Sequence, residues 1–316
     1  MKRNVKLVLR KGCNLYSFIL TLTMLSICEC FYNPSKLHAV TKYLSRKICL
    51  SARQNRVPQP TVPYLDVSFE QQLKGIRSMR RHKNAAVDNY GTGAISEQSQ
   101  GLDGKAKRFE VLVAAMLSSQ TQDPVTAAAV DRLRELCATN GGLSPSVLLH
   151  LKDTQGFDEE ALAKVLSPVS FHERKAMYIF KVCNILREQY SEDIPRSLED
   201  LLDLPGVGPK MAILVMDIAW NEVAGICVDT HVHRLSNRLG WVDTWNYTKP
   251  KSQNPEKTRK QLEAWIPRDL WRDINPLLVG LGQQVCPALG PKCSECQINH
   301  ICPSAFQKKY PFMWKD

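Results

Sequence analysis

The segment Leu204–Lys210, with the sequence Leu-Pro-Gly-Val-Gly-Pro-Lys, sets a lysine at the start of a helix directly after a tight turn. Its two glycines predict a hairpin with positive φ, and Pro209 suits the first position of a helix that runs to about Trp220. Lys210 then lies in the first helical turn, where the unpaired N–H groups and the macrodipole favour a neutral amine over a cation. A neutral amine is a nucleophile, so the segment predicts a lysine placed for nucleophilic chemistry.

The same hairpin offers backbone N–H groups to an anion, because such groups at a turn before a helix form a ready phosphate site. The candidate groups belong to Gly206, Val207 and Gly208. Together with the lysine, they indicate a nucleophile held beside a nucleic-acid backbone. The alternative interpretation is an ordinary helix–helix turn with a solvated lysine.

A second chemical motif is a run of four cysteines near the C-terminus, with the spacing C-x6-C-x2-C-x5-C: Cys286, Cys293, Cys296 and Cys302. Structural zinc sites usually combine two C-x2-C-like pairs separated by a longer spacer, and only one such pair is present here. Uneven spacing within one compact loop favours a [4Fe–4S] cluster, whose four corners can be reached from one wrapped loop. Zinc and disulfides are the less favoured alternatives.

The third motif begins at Val228 and contains Asp229, His231 and Arg234. Asp229 is predicted to cap a helix over about residues 230–239. Beside a lysine nucleophile, it can also supply a fixed negative charge that stabilises a cationic, sugar-like transition state. His231 and Arg234, one helical turn apart, either contact phosphate or lie on a solvated helix face.

These three motifs, in this order, resemble endonuclease III and, more closely, its eukaryotic homologues, from about Val67 to the C-terminus. The resemblance implies a bifunctional DNA glycosylase and apurinic/apyrimidinic lyase that acts on oxidised or ring-saturated pyrimidines. It assigns the Schiff-base nucleophile to Lys210, the catalytic carboxylate to Asp229, and the ligands of a [4Fe–4S] cluster to the four cysteines. It also matches Gln120 to the glutamine that fills the gap left by a flipped nucleotide; the alternative for Gln120 is a plain polar residue at a helix C-terminus.

The resemblance implies an all-α, two-lobed helix-hairpin-helix fold with double-stranded DNA crossing the cleft. Residues 111–223 would form a six-helix barrel lobe, and residues 66–110 and 224–316 a cluster lobe with the iron–sulfur loop. The expected partner is DNA that contains oxidised pyrimidines or abasic sites. A monomer without membrane association is expected, and downstream repair proteins cannot be identified from the sequence.

The apolar pattern agrees with a helical fold. Phe109, Leu112, Val113, Met116 and Leu117 form one stripe of a helix that ends near residues 118–120. Further helices are predicted over residues 173–190, 197–203 and 209–220, and no convincing strand pairs occur. Asp123-Pro124 and Asn254-Pro255 each predict a helix start.

Charge is concentrated in the first 65 residues, which carry 11 Lys and Arg against one acidic residue, and hence a net charge of +10 out of +11 for the chain. Any DNA-binding surface on the remainder must therefore be a local patch.

The apolar run from Leu15 to Cys28 resembles a secretory signal, but the continuing basic, acid-poor character favours a mitochondrial transit sequence that overlaps a nuclear signal. Residues 57–63 are predicted to be a linker, and the expected location is nucleus and mitochondrion. The seven cysteines outside the C-terminal motif show no disulfide framework, as expected for a reducing compartment.

Three other classes of protein share part of this pattern. An adenine-specific glycosylase has no lysine at the Lys210 position, a non-catalytic helix-hairpin-helix module explains neither Asp229 nor the cysteines, and a zinc-stabilised scaffold explains the cysteines alone.

Two features depart from the family pattern. Residues 287–292 contain a single basic residue, Lys292, and residues 245–258 are predicted to be a loop expansion.

Overall fold

The computed structural model describes residues 65–99, 104–246, 248–249 and 251–307, and within these ranges the chain is helical without a strand. The predicted extension and linker before Leu65 lie outside the described residues. The helices of the first half are α1 (Leu65–Met79), α2 (Ala86–Tyr90), α3 (Thr92–Gln98), α4 (Gly104–Ser118), α5 (Asp123–Cys137), α6 (Pro145–Gln155), α7 (Glu159–Leu166) and α8 (His172–Gln189). They are followed by α9 (Leu198–Asp203), α10 (Pro209–Trp220), α11 (Thr230–Arg238), α12 (Pro255–Glu263) and α13 (Trp271–Gln284).

Side-chain caps begin several of these helices where the sequence predicts them. Asp229 Oδ1 accepts a hydrogen bond from Val232 N (2.8 Å), and Asn254 caps α12 through its own side chain. The predicted helix start at Asp123-Pro124 is confirmed for α5, but the N-cap lies one residue before Asp123. Gln122 is the N-cap, and Asp123 is the first helical residue, with its carboxylate accepting from Gln283 Nε2 (2.8 Å).

The larger hydrophobic core lies around α4 and is built from residues 95–216. The predicted stripe on α4 is confirmed, but the helix is buried on all sides from Phe109 to Leu117 because α3, α5, α8 and α10 surround it. The buried Glu110 within it is paired with Arg134 (2.6 Å). Ile95 and Phe109 belong to this core, so it begins earlier in the chain than the predicted lobe boundary at residue 111.

A second core combines α1 with residues 226–298, the parts of the chain on either side of the larger core. Phe69 of α1 packs edge-on against Trp241 and Trp265, with ring centroids 4.9 and 4.8 Å away. The buried Gln72 accepts from Trp241 Nε1 (2.6 Å) and donates to Leu239 O (3.3 Å). Because the buried amide finds both a donor and an acceptor there, it fixes how α1 lies against the C-terminal segments.

The predicted loop expansion at residues 245–258 includes the first residues of α12 and is tied to α11 through His233. The ring of His233 stacks on Trp245 (centroids 5.1 Å apart) and bonds Thr258 Oγ1 (2.7 Å) and Gln253 Oε1 (3.0 Å). Burial lowers the pKa of His233. A neutral imidazole thus holds this segment against the second core.

None of the helices in the described part of the chain combines the length and apolar character needed to cross a membrane.

Candidate active site

The hairpin between α9 and α10 is shaped by one of its two glycines. Gly206 has φ +82°, and a Cβ there would lie 2.5 Å from Cδ2 of Tyr178, so glycine is required on both grounds. Gly208 has φ −107°, so the predicted positive φ is confirmed at residue 206 and wrong at residue 208. A Cβ on Gly208 would meet nothing within 4 Å. The fold itself therefore does not require glycine at residue 208, whereas a ligand that approaches the backbone closely would.

Val207 takes no part in the predicted exposed N–H array. Its side chain is buried in the larger core, and its N–H donates to Leu204 O (3.1 Å). The amides of Gly206 and Gly208 are the remaining candidates for an anion site at this hairpin.

Lys210 is the second residue of α10 and is half-buried, and α10 has the predicted bounds. The Sγ of Cys227 contacts the Lys210 carbonyl oxygen (3.7 Å). Burial raises the pKa of the Cys227 thiol to about 12; the charge of Lys210 opposes this shift, and the charges of Asp229 and Asp217 add to it. Lys210 and Asp229 therefore both lie near one buried thiol, although they belong to different helices.

Asp229 stands at the N-cap of α11, half-buried, directly after the buried Val228. The capping bond to Val232 N fixes its carboxylate at the positive end of the helix. Asn275 Nδ2 on α13 donates to Cys227 O (2.9 Å) and so holds the segment that leads into Asp229. The N-termini of α10 and α11, one with an amine and one with a carboxylate, thus both lie close to Cys227.

The four clustered cysteines are half-buried free thiols that line one pocket of about 420 Å³. Arg238 closes one side of it, with Nη1 3.2 Å from Cys286 Sγ and 2.7 Å from Pro287 O. Burial raises the pKa of Cys302 to about 11 and also raises that of Cys296. Within the described ranges, no three His, Cys, Asp or Glu side chains are grouped closely enough to hold a metal ion. The thiols surround a space instead.

Comparison with known proteins places the chain in a family. The family model described as "HhH-GPD superfamily base excision DNA repair protein" matches residues 113–268. Endonuclease III-like protein 1 of Gallus gallus is 44% identical over 270 residues, which cover 84% of this chain and 89% of the chicken protein. The chain belongs to the endonuclease III family. It is therefore a base excision repair enzyme of the DNA glycosylase and lyase class.

Two further relatives support this membership. Endonuclease III homolog 1, chloroplastic, of Arabidopsis thaliana is 45% identical over 248 residues, or 78% of this chain; the match spans 62% of the plant protein. The solved "Structure of a Trapped Endonuclease III-DNA Covalent Intermediate: Estranged-Adenine Complex" aligns with a TM-score of 0.59 at 25% identity. That alignment covers 75% of this chain and 94% of the solved one. The endonuclease III fold thus accounts for the helical arrangement around the hairpin.

In this member of the endonuclease III family, Gln120 is exposed in a turn after α4 and has a left-handed backbone (φ 53°). Phe171, which the sequence alone did not single out, has φ 55° and an exposed fraction of 59%. Both residues line one pocket of about 200 Å³ together with Tyr178 and Gly206. The signal for Phe171 was an aromatic residue at an N-cap, where Ser, Thr, Asp or Asn is usual.

His231 and Arg234 have separate positions in this endonuclease III family site. His231 is half-buried, and burial lowers its pKa; the charges of Asp229 and Asp123 oppose this shift, and those of Arg234 and Lys210 add to it. Arg234 is buried, with Nη2 donating to Cys286 O (3.0 Å) and lying 3.2 Å from His231 Nδ1. The prediction that Arg234 contacts phosphate is therefore wrong, because its guanidinium is turned inward to the cysteine loop.

Proposed function

We propose that the protein is a bifunctional DNA N-glycosylase and apurinic/apyrimidinic lyase that removes oxidised or ring-saturated pyrimidines from duplex DNA. The observation that carries the proposal is that Lys210 and Asp229, each at a helix N-terminus, both lie close to Cys227. Hydrolysis of a base by water alone needs no amine, whereas a combined glycosylase and lyase needs an amine that forms an imine. Lys210 supplies that amine.

The reaction uses Lys210 Nζ as the nucleophile at C1′ of the damaged nucleotide. The new N–C1′ bond forms as the glycosidic bond breaks. The electron pair of the glycosidic bond leaves with the base, which takes up a proton. The C1′–O4′ bond then breaks, O4′ takes the proton that the attacking amine gives up, and the opened sugar is held as an imine. Loss of a C2′ proton to solvent drives cleavage of the C3′–O bond, and the 3′ phosphate leaves with the electron pair of that bond. Water finally hydrolyses the imine and restores the amine. Asp229 stabilises the positive charge that develops on the sugar.

The nucleotide must leave the base stack before Lys210 can reach it, at a cost of roughly a few kcal/mol that is lower for a damaged base. Gln120 and Phe171, the exposed residues that share one pocket, are suited to fill the space in the duplex. Gly206, Gly208 and the half-buried His231 are suited to contact the phosphates. The proposed reaction at Lys210 thus depends both on residues that fill the duplex and on residues that hold its backbone.

Borohydride trapping on an abasic duplex tests the proposed function. Reduction of the imine should link the protein covalently to DNA and give a slower band on a denaturing gel. An abasic analogue whose C1′ cannot form an imine is the matched control. Binding of the duplex without any adduct would instead support a non-catalytic helix-hairpin-helix module.

We also infer that the four cysteines hold a [4Fe–4S] cluster. The pocket of about 420 Å³ that they line, closed by Arg238, fits a four-thiolate group larger than a single ion. Cys286, Cys293, Cys296 and Cys302 would each supply one thiolate. The cluster would cross-link the C-terminal loop, because glycosidic cleavage needs no electron transfer.

Anaerobically purified protein is therefore expected to be brown and to contain about four irons and four sulfides per chain. Metal and acid-labile sulfide analysis checks this result. Stoichiometric zinc without iron would contradict the cluster and favour the zinc alternative.

We propose that residues 1–65 direct the protein to the mitochondrion and also carry a nuclear signal, since they hold nearly all the net charge. Because α1 begins at Leu65 and Phe69 is in the second core, a truncation should end before α1. Removal of residues 1–62 is expected to leave catalysis largely intact at moderate salt while mitochondrial import fails. Some affinity at low salt should also be lost, because each Lys or Arg near DNA releases counterions.

A full-length fluorescent fusion measures the location directly. Import with cleavage of the leader would support the proposal. Entry into the secretory pathway, with glycosylation at Asn246, would show that the run from Leu15 to Cys28 is a signal peptide.

A further inference from the structure

Lys175, in the first turn of α8, is buried with an exposed fraction of 6%. Its ammonium donates to Leu117 O (2.7 Å), Ser119 O (2.7 Å) and Thr121 Oγ1 (3.2 Å). Leu117 O belongs to the last turn of α4, and the other two oxygens belong to the turn that follows it, on either side of Gln120. Lys175 thus ties together, with its three donors, the turn that carries an exposed residue of the candidate site.

The same lysine also reaches the turn that carries Phe171. Thr121 Oγ1 accepts from Ser170 N (3.3 Å) and donates to Ser119 O (3.2 Å), and the backbone N of Lys175 donates to Phe171 O (3.0 Å). One connected set of hydrogen bonds therefore joins both turns. Gln120 and Phe171, which we call the wedge, stand at the two exposed points of this set.

Both wedge residues have left-handed backbones, a conformation that costs energy for residues other than glycine and persists only where surrounding contacts hold it. The three acceptors around the Lys175 ammonium are neutral oxygens. Burying an ammonium among neutral groups is itself unfavourable, and burial lowers the pKa of Lys175 to about 8. A contribution to stability alone therefore does not explain why this cation is buried. Its contacts indicate instead that it fixes the geometry of the two turns.

We propose that Lys175 is a positioning residue that holds Gln120 and Phe171 as one rigid wedge for opening the DNA duplex. This inference rests on the proposed function. Lys175 is buried beneath the wedge and acts through it, so it should govern extrusion of the nucleotide and not the later imine chemistry at Lys210. Loss of the ammonium would let the two turns move independently.

The test compares Lys175→Met with Lys181→Met, which removes an exposed positive charge from the same helix. Each protein acts on a ring-saturated thymine in a fully paired duplex, on the same lesion in an unpaired bubble, and on an abasic single strand. Lys175→Met should slow base release from the paired duplex by roughly ten- to a hundredfold, as expected for a displaced positioning group. It should leave the bubble substrate and adduct formation on the abasic strand close to wild type. Lys181→Met should behave as wild type on all three substrates.

A second pair of variants guards against general misfolding of Lys175→Met. Thr121→Val removes the hydroxyl that joins the two turns, whereas Thr121→Ser keeps it. Thr121→Val should reproduce the selective loss of rate on the paired duplex. Thr121→Ser should release the base from the paired duplex at the wild-type rate. Thermal unfolding of each variant accompanies the rates.

Extrusion is measured directly with 2-aminopurine opposite the lesion, in proteins that also carry Lys210→Gln so that no chemistry follows. The fluorescence increase on binding should be smaller with Lys175→Met than without it. Equal loss of rate on paired and bubble substrates, or an unchanged fluorescence increase, would overturn the wedge proposal. Failure of the wild-type protein to form any borohydride adduct would instead overturn the proposed function.

Discussion

Lys210→Gln is expected to abolish both base release and strand cleavage, by at least about 10⁴-fold, the scale expected when a catalytic nucleophile is removed. The fold should survive, because Lys210 is half-buried in the first turn of α10 and its side chain is not in either hydrophobic core. Affinity for duplex DNA should stay close to wild type, because the hairpin amides, His231 and the wedge make the proposed contacts. Borohydride trapping and single-turnover base release measure the two activities, and a filter-binding assay measures affinity.

Lys181→Gln is the matched control for this variant, since it makes the same change at an exposed position on α8. It should trap at the wild-type yield. Adduct formation by Lys210→Gln at the wild-type yield would show that another amine is the nucleophile. Loss of DNA affinity together with activity would indicate that Lys210 contacts phosphate.

Asp229→Asn is expected to lower turnover by orders of magnitude while the melting temperature hardly changes. Asn caps helices about as well as Asp, whereas Ala at such a site costs about 1 kcal/mol. The substitution therefore keeps the bond to Val232 N and removes only the charge. Asp229→Ala should lose activity and also lower the melting temperature by roughly 2–4 °C, as expected for about 1 kcal/mol in a domain of this size.

A second capping aspartate provides an internal control. Asp158 caps α7 with the same geometry, its Oδ1 accepting from Ala161 N (2.9 Å). Asp158→Asn should change neither turnover nor melting temperature. Near-normal turnover in Asp229→Asn would leave that residue with its capping role alone. Calorimetry and single-turnover kinetics on the three variants separate these outcomes.

Most of the local structure around the candidate site could be predicted from the sequence. The bounds of α10, the cap at Asp229 and the positive φ at Gly206 all follow from interactions between residues close together in the chain. Such interactions depend on residue type and spacing, which the sequence states directly. The order of the three motifs also identified the family, which the comparisons confirm.

Long-range packing determines which polar side chains lie inside. The sequence of α11 is strongly polar, yet most of it is buried, including Arg234. The reason lies far along the chain on α13, where a Cβ on Gly282 would lie 2.5 Å from His231 Nδ1 and 2.9 Å from Arg234 Nη2. Because Gly282 has no side chain, these groups have room to pack against α13. The residue pattern of α11 alone cannot indicate so distant a neighbour.

Lys175 and the wedge show the same difference between interactions of near neighbours and long-range packing. Lys175 follows His, Glu and Arg in a charged run that predicts a solvated first turn, but its ammonium reaches carbonyl oxygens 56 and 58 residues earlier in the chain. Phe171 is apolar and would be expected in a core, but it is exposed. Helices, caps and residues able to do chemistry could be read from the chain because they depend on near neighbours. The burial of one particular cation and the exposure of one aromatic ring could not, because burial depends on the distant segments that pack alongside.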